Sequence, residues 1–266
     1  MKLLLNFLLG VCLAIFIPSA FYAQDVIFPI IDKDNALSKK ERRSLERMIS
    51  YKIGLFNEIF QNESYSNSEI DFIIIKDYAT YLTYKSEAGR TVPFASSSFD
   101  GFYSSDTKQI VVCRDNKSEA LFLRACYSGL SDLPLRERVP HLPIWLDRGL
   151  FLYTTLIKVS SRGMKHEMST FGIKRVKTMI ELKDIDLRDF VTWSSQKFHQ
   201  VSSSHDNYGR SLAHNLVYFL MNKDREAALN IIRSIADRIT TVEAFDMHYS
   251  GGFDQFEKDF LAHYSK

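Results

Sequence analysis

The chain has 266 residues, with 34 basic side chains against 32 acidic ones and a formal net charge of +2. That balance, with no long basic run interleaved with aromatics, excludes nucleic acid as a partner readable from charge. A hydrophobic content of 45%, undivided by any low-complexity linker or internal repeat, points to one domain over residues 24–266.

Residues 1–23, MKLLLNFLLGVCLAIFIPSAFYA, combine one lysine, an apolar core from Leu3 to Ile17 and a Pro/Ser/Ala stretch ending at Ala23. This is the pattern of a cleaved export signal. An uncleaved anchor is the alternative, and a lipoprotein signal is disfavoured because Val11 precedes Cys12. No later stretch reaches spanning length, so no stable membrane span is expected after cleavage, and the expected location is periplasmic or extracellular. Only Cys113 and Cys126 outlast signal removal. An oxidising compartment permits a bridge between them; two buried free thiols are the alternative.

Residues 38–60 carry a helical apolar stripe of Leu45, Met48, Ile49, Ile53, Phe56 and Phe60, opened by the capping pair Ser38 and Glu41. Residues 70–75 and 109–113 are β-branched and predict strands. Between them, in residues 92–109, Asp100-Gly101 and Ser104 to Asp106 suggest turns around short extended pieces. Together these predict a small, mostly antiparallel sheet.

From residue 118 the chain turns helical, over 118–130, 143–159, 171–182, 187–193, 207–221, 225–239 and 253–264. Asn207 and Asp224 are the candidate caps of the 207–221 and 225–239 helices, and Ala228, Ile231, Ile232, Ile235 and Ile239 should pack inward. The SSSHD run at 202–206 reads as a polar loop. The fold class is α+β: the small sheet first, then a mainly helical region.

The stretch LPIWLDRGLFLYTT, residues 142–155, is a well-signalled buried helix, with Pro143 at its start and Trp145, Leu146, Gly149, Leu150 and Tyr153 at helical spacing. Arg148 stands before Gly149, either on a solvated edge beside Asp147 or Glu119, or facing a cleft. The order of elements here resembles the gluzincin group of peptidase MA-like zinc peptidases. Gly101-Phe102-Tyr103 looks like that family's turn, residues 110–113 like its edge strand, and residues 142–153 like its Leu-Pro-x-Trp-Leu-x-Glu-Gly-Leu-Ala-Glu-Tyr helix. Residues 208–221 resemble its later Tyr-x-x-Ser helix. The resemblance implies a zincin-like helical region.

A zinc hydrolase of that kind needs two histidines at i and i+4, a third ligand, and a carboxylate to take a proton from metal-bound water. The best placement of the motif puts Leu123 and Tyr127 at the histidine positions, Arg124 at the general-base position and Arg148 at the third-ligand position. None can do the chemistry. Leucine has no lone pair, and arginine brings positive charge to a cation's place. No histidine precedes His141, and no pair among His141, His166, His199, His205, His214, His248 and His263 has the spacing. No catalytic residue, metal ligand or cofactor is therefore assigned.

The expectation is an exported, non-catalytic relative of a zinc peptidase that binds a peptide or protein in a vestigial cleft. The cleft positions are Leu123, Arg124, Tyr127 and Arg148, with Trp145, Asp147 and Tyr208 as neighbours. One rival is a hydrolase with a spatially assembled site, such as His141 or His214 with Asp147, Asp206 or Cys126. Another is a structural envelope or surface protein whose cleft is closed by Phe122, Leu123 and Phe151. N-terminal sequencing of the exported protein should read from near Gln24; a chain still carrying Met1 to Ala20 contradicts the signal reading.

Overall fold

The computed structural model describes residues 29–32, 34–61, 71–87, 101–104, 106–115, 117–137, 139, 141–160, 163–204 and 207–265. The export-signal segment and residues 92–100 of the expected turn region lie outside them.

Helix α1, Lys39–Phe60, begins as its sequence dictates: the Ser38 hydroxyl accepts from the Glu41 amide, and the Glu41 carboxylate accepts from the Ser38 amide at 2.9 Å. Reciprocal capping satisfies two amides that the first turn leaves without partners. At the far end, Arg233 donates to the carbonyls of Glu58 and Ile59, at 2.6 and 2.9 Å, and brings positive charge to the negative pole of the helix.

This helix connects strand β1, Ile30–Asp32, to strand β2, Asp71–Ile75. Two further strands, β3 at Gly101–Ser104 and β4 at Gln109–Cys113, complete a four-stranded sheet in the order β1-β2-β4-β3. The class is α+β with a small sheet, but the expected antiparallel pairing is corrected. Strand β2 runs parallel to both β1 and β4, with Ile73 opposite Ile31 and Val111, and only edge strand β3 is antiparallel, to β4.

The signal was in the strands themselves, since FIII and IVVC are apolar at successive positions instead of alternating, the mark of strands covered on both faces. Phe72, Ile74, Ile110 and Val112 enter the main core. Ile73, Ile75, Val111 and Cys113 bury on the other face beneath Tyr81 of helix α2, Tyr78–Glu87. Cys126 belongs to the main core and Cys113 to the second, so the two remain buried free thiols on opposite sides of the sheet.

Helix α3, Glu119–Glu137, runs past the expected end at 130 and on through Pro134. Helix α4, Ile144–Thr155, ends four residues before the expected 159. Its continuation is a hairpin of β5, Ile157–Ser160, and antiparallel β6, Gly163–His166. Ile157 and Val159 flanking Lys158 have strand period, which an apolar run continuing from a helix conceals. Helix α5, Thr170–Glu181, is capped by Ser169, and the short α6 spans Leu187–Phe190.

Helix α7, Ser195–Ser204, absorbs the first three residues of the expected polar loop, and His205 and Asp206 lie outside the described residues. Phe198 and Ser202 are buried against Gly209, where an added Cβ would meet the Ser202 hydroxyl at 2.6 Å. That contact fixes the segment as a helix despite its polarity.

Helix α8, Tyr208–Lys223, is the central post and packs against α4, α5, α7 and helix α9, Arg225–Ala236. Asn207 precedes α8 in the left-handed region, at φ 68°, and makes no side-chain cap, unlike the expectation. Asp224 does cap α9, accepting from the Ala227 amide at 3.0 Å. Because α9 stops at Ala236, Ile239 falls beyond it and is exposed rather than packed inward.

Helix α10, Thr241–His248, which the sequence reading missed, has its own capping box of Thr240 and Glu243. It packs on α11, Gly252–Tyr264, through Phe245, Phe253 and Phe256, whose rings lie 4.3 to 6.0 Å apart. Among the described residues no helix is long and apolar enough to cross a membrane.

Gly149 is where α4 and α8 approach most closely. A Cβ there would stand 2.5 Å from Val217 Cγ2 and 2.6 Å from the Ala213 carbonyl oxygen, inside any real contact distance. Gly149→Ala should lower the unfolding free energy by about 2 kcal/mol in urea melts, as overpacking against backbone does. Gly172→Ala in α5, whose Cβ would meet nothing closer than 3.5 Å, should be neutral or mildly stabilising.

Candidate functional site

Three of the four expected cleft positions share one concavity. Leu123, Arg124 and Tyr127, on successive turns of α3, line a groove of about 460 Å³ with Lys40 and Ser44 of α1, the chain from Thr155 to Lys158, and Glu167. The floor is apolar, from Leu123, Tyr127 and Ile157, and the rim mixes Lys40, Arg124 and Lys158 with Glu119 and Glu167. Lys40 pairs with Glu119 at 2.9 Å in an exposed contact. Arg124 is exposed at the rim and has no ion pair among the described residues. Burial pushes the Tyr127 hydroxyl well above its ordinary range, keeping it a protonated donor. Phe122 is fully buried while Leu123 keeps partial exposure, so these side chains do not seal the groove.

Arg148 is elsewhere. The α3–α4 contact is made at the last turn of α4, where Ser131 meets Thr154 and Thr155 at 2.9 and 3.1 Å. That places Thr155 at the groove and leaves Arg148, two turns back, roughly 10 Å away along the axis. Arg148 instead lies beside Asp147, Nε to Oδ2 3.3 Å, with about a fifth of each side chain exposed. Its electrostatic neighbours are His199 of α7 and Arg210 of α8.

The other expected neighbours do not line the groove. Trp145 is core, its indole donating to the Thr241 hydroxyl at 3.2 Å and its ring 6.5 Å from that of Phe245. Tyr208 stacks on Trp193, with centroids 6.0 Å apart, and donates to the Asp184 carbonyl at 2.8 Å. Sequence reasoning missed Lys40, Lys158, Glu167 and Arg210 as site residues. Lys158 comes from a hairpin strand expected as the end of a helix, so the strand period of residues 157–159 was the signal available, and Glu167 follows the hairpin's second strand.

Next to the groove the interior carries an ordered polar network. Lys52, fully buried, donates to the Tyr127 carbonyl and to the Ser131 hydroxyl at 2.5 Å, tying α1 to α3. The His166 ring stacks on Tyr153 with centroids 3.8 Å apart. Its Nδ1 donates to the Tyr153 carbonyl at 2.8 Å, which leaves Nε2 to accept from the Tyr51 hydroxyl at 2.5 Å. Arg225 forks onto Glu58 at 2.6 and 2.9 Å close by. Burial between the two tyrosines depresses His166 to about 4.

Of the residues of the assembled-site rival, Asp206 lies outside the described residues. His141 is exposed, and Cys126 is wholly buried with its thiol pushed well up by desolvation. His214 is buried in α8 against Tyr218, its Nε2 without a hydrogen-bond partner among the described residues, and burial lowers it to about 4. Among the described residues no three His, Cys, Asp or Glu side chains converge on a metal-sized site.

Residues 124–241, under half of the chain, are similar to a family described as a protein of unknown function, DUF1570. That segment runs from Arg124 in the groove through Arg148 and Arg210 to the start of α10. No curated protein and no solved structure matches the chain.

Two histidines held near 4 in the fold, against 6.5 unfolded, bind protons more weakly folded than unfolded. Their contribution is fully present above about pH 6.5 and is lost as the pH falls toward 4, on the order of 3 kcal/mol each at full protonation. Urea melts should show the decline beginning below pH 6.5. His214→Gln should flatten the profile, and an unchanged slope would contradict neutral burial of that ring.

Proposed function

We propose that this is an exported, non-catalytic relative of the zinc peptidases that holds a peptide or protein segment in the groove between α1, α3 and β5. The observation that carries the reading is the lining of that groove. A leucine, an arginine and a tyrosine stand at Leu123, Arg124 and Tyr127, where the resemblance to the gluzincins implies histidine, glutamate and histidine. Arginine cannot take a proton from water near neutral pH, and leucine cannot bind a metal. An apolar floor inside a rim of both charges suits a segment with one or two apolar side chains and flanking polar groups. A volume of about 460 Å³ accommodates a few residues and not a folded domain. The order β4, α3, α4 follows the peptidase resemblance, but residues 110–113, expected as an edge strand, lie inside the sheet as β4, and Gly101-Phe102-Tyr103, expected as a turn, form edge strand β3. Export rests on the character of residues 1–23.

A fluorescence-anisotropy screen of labelled peptide pools against the mature chain should find saturable binders. Leu123→Arg should weaken them about tenfold, the loss of one apolar contact and a gain of charge. Stability should hold, since Leu123 is already partly exposed. The same protein should cleave none of these peptides. One zinc per chain by elemental analysis together with chelator-sensitive hydrolysis would overturn the non-catalytic reading.

A further inference from the structure

We infer that Arg148 and Arg210, set side by side by the packing of α4 on α8, form a binding site for a small oxyanion, a phosphate or carboxylate group. This site is separate from the groove and does not rest on the function proposed for it.

The placement follows from the backbone. At Gly149 the two helices touch, with the Ala213 carbonyl and Val217 against the glycine. Arg148 is the residue before that contact, and Arg210 lies one turn before Ala213. Helix α7 packs on both α4 and α8 and brings His199 to the same place. Three helices thus contribute nitrogen-bearing side chains to one half-buried spot.

Among the described residues the charges there do not balance. Asp147 is the one carboxylate acting on the cluster among the described residues, against two guanidinium groups. It does not satisfy even Arg148: Nε lies 3.3 Å from Oδ2, yet its N–H is buried without a hydrogen-bond acceptor. Arg210 is depressed from its ordinary value by burial and then by Arg148, with no acid opposing. His199 is lowered by burial and then by both arginines, with Asp147 working the other way. What the two arginines lack among the described residues is an acceptor with negative charge and several lone pairs. Planar guanidinium forks bind oxyanions in that geometry, with paired N–H···O bonds that a lysine cannot reproduce.

The test is calorimetric titration of the mature full-length chain with sodium phosphate and, separately, sodium N-acetylglycinate, against sodium chloride at equal ionic strength. Saturable binding of either probe is expected; phosphate alone, the carboxylate alone, or both would identify which oxyanion the site accepts. Arg210→Gln should weaken that binding at least tenfold and Arg210→Lys by less, while Lys85→Gln on α2, across the sheet, leaves it unchanged. Arg210 makes no hydrogen bond or ion pair among the described residues, so its variants test the site even if Arg148→Gln fails to fold. Neither probe exceeding chloride, or Arg210→Gln binding as the wild type does, would overturn the proposal.

Discussion

The contact of Gly149 with Ala213 and Val217 is the constraint on which the helical half of the molecule depends. Only a residue without Cβ lets α4 lie this close to α8, and α8 is the post that α5, α7 and α9 also pack against. Moving α4 outward by the width of a methyl group would open space beside Leu146, Leu150, Leu212, Ala213 and Leu216, all buried to within 1%. The same closeness has an electrostatic consequence, because it forces Arg148 and Arg210 to share a neighbourhood. Why an arginine stands directly before the glycine thus has a structural answer: the position faces a seam between helices that also receives Arg210 and His199.

The groove has a different origin. It forms where the N-terminal turns of α1 and α3 meet the end of α4, and the β5–β6 hairpin closes one side. Buried hydrogen bonds of Lys52 with Tyr127 and Ser131, and of Ser131 with Thr154 and Thr155, hold α1, α3 and α4 in register behind it. A buried ammonium without these acceptors would be costly, so the polar network rigidifies the wall that carries Tyr127. Groove and arginine seam lie at different ends of α4, which separates positions that a linear motif placed in one cleft.

The polar groups of the interior are arranged to stay uncharged where they can. His166 and His214 are neutral at physiological pH because burial outweighs any gain from protonation, and Tyr153 is pushed up to about 12 by the same cause. Charged groups are retained where a partner is in reach, as with the fork of Arg225 on Glu58. Arg210 departs from this pattern, and Arg148 meets it only in part, its Nε beside Asp147 but without a hydrogen-bond acceptor, which is why the pair invites an external anion.

Local chemistry was legible from the sequence alone. The capping box of Ser38 and Glu41, the cap of Asp224 on α9, the apolar stripe of α1 and the strands at 71–75 and 109–113 follow from hydrogen-bond needs and side-chain periods that act within a few residues. The lack of any histidine pair at i and i+4 was equally a property of the chain. Strand direction was not, because a strand buried on both faces has the same composition whichever way its neighbour runs; the crossover through α1 decided it. The hairpin after α4 was hidden because Ile157 and Val159 suit either period, and helix α7 because its polarity is offset only by the contact of Phe198 and Ser202 with Gly209. Which arginine faces which neighbour was beyond the sequence for the same reason: Arg210 is 62 positions from Arg148, and only the approach of two backbones at Gly149 brings them together.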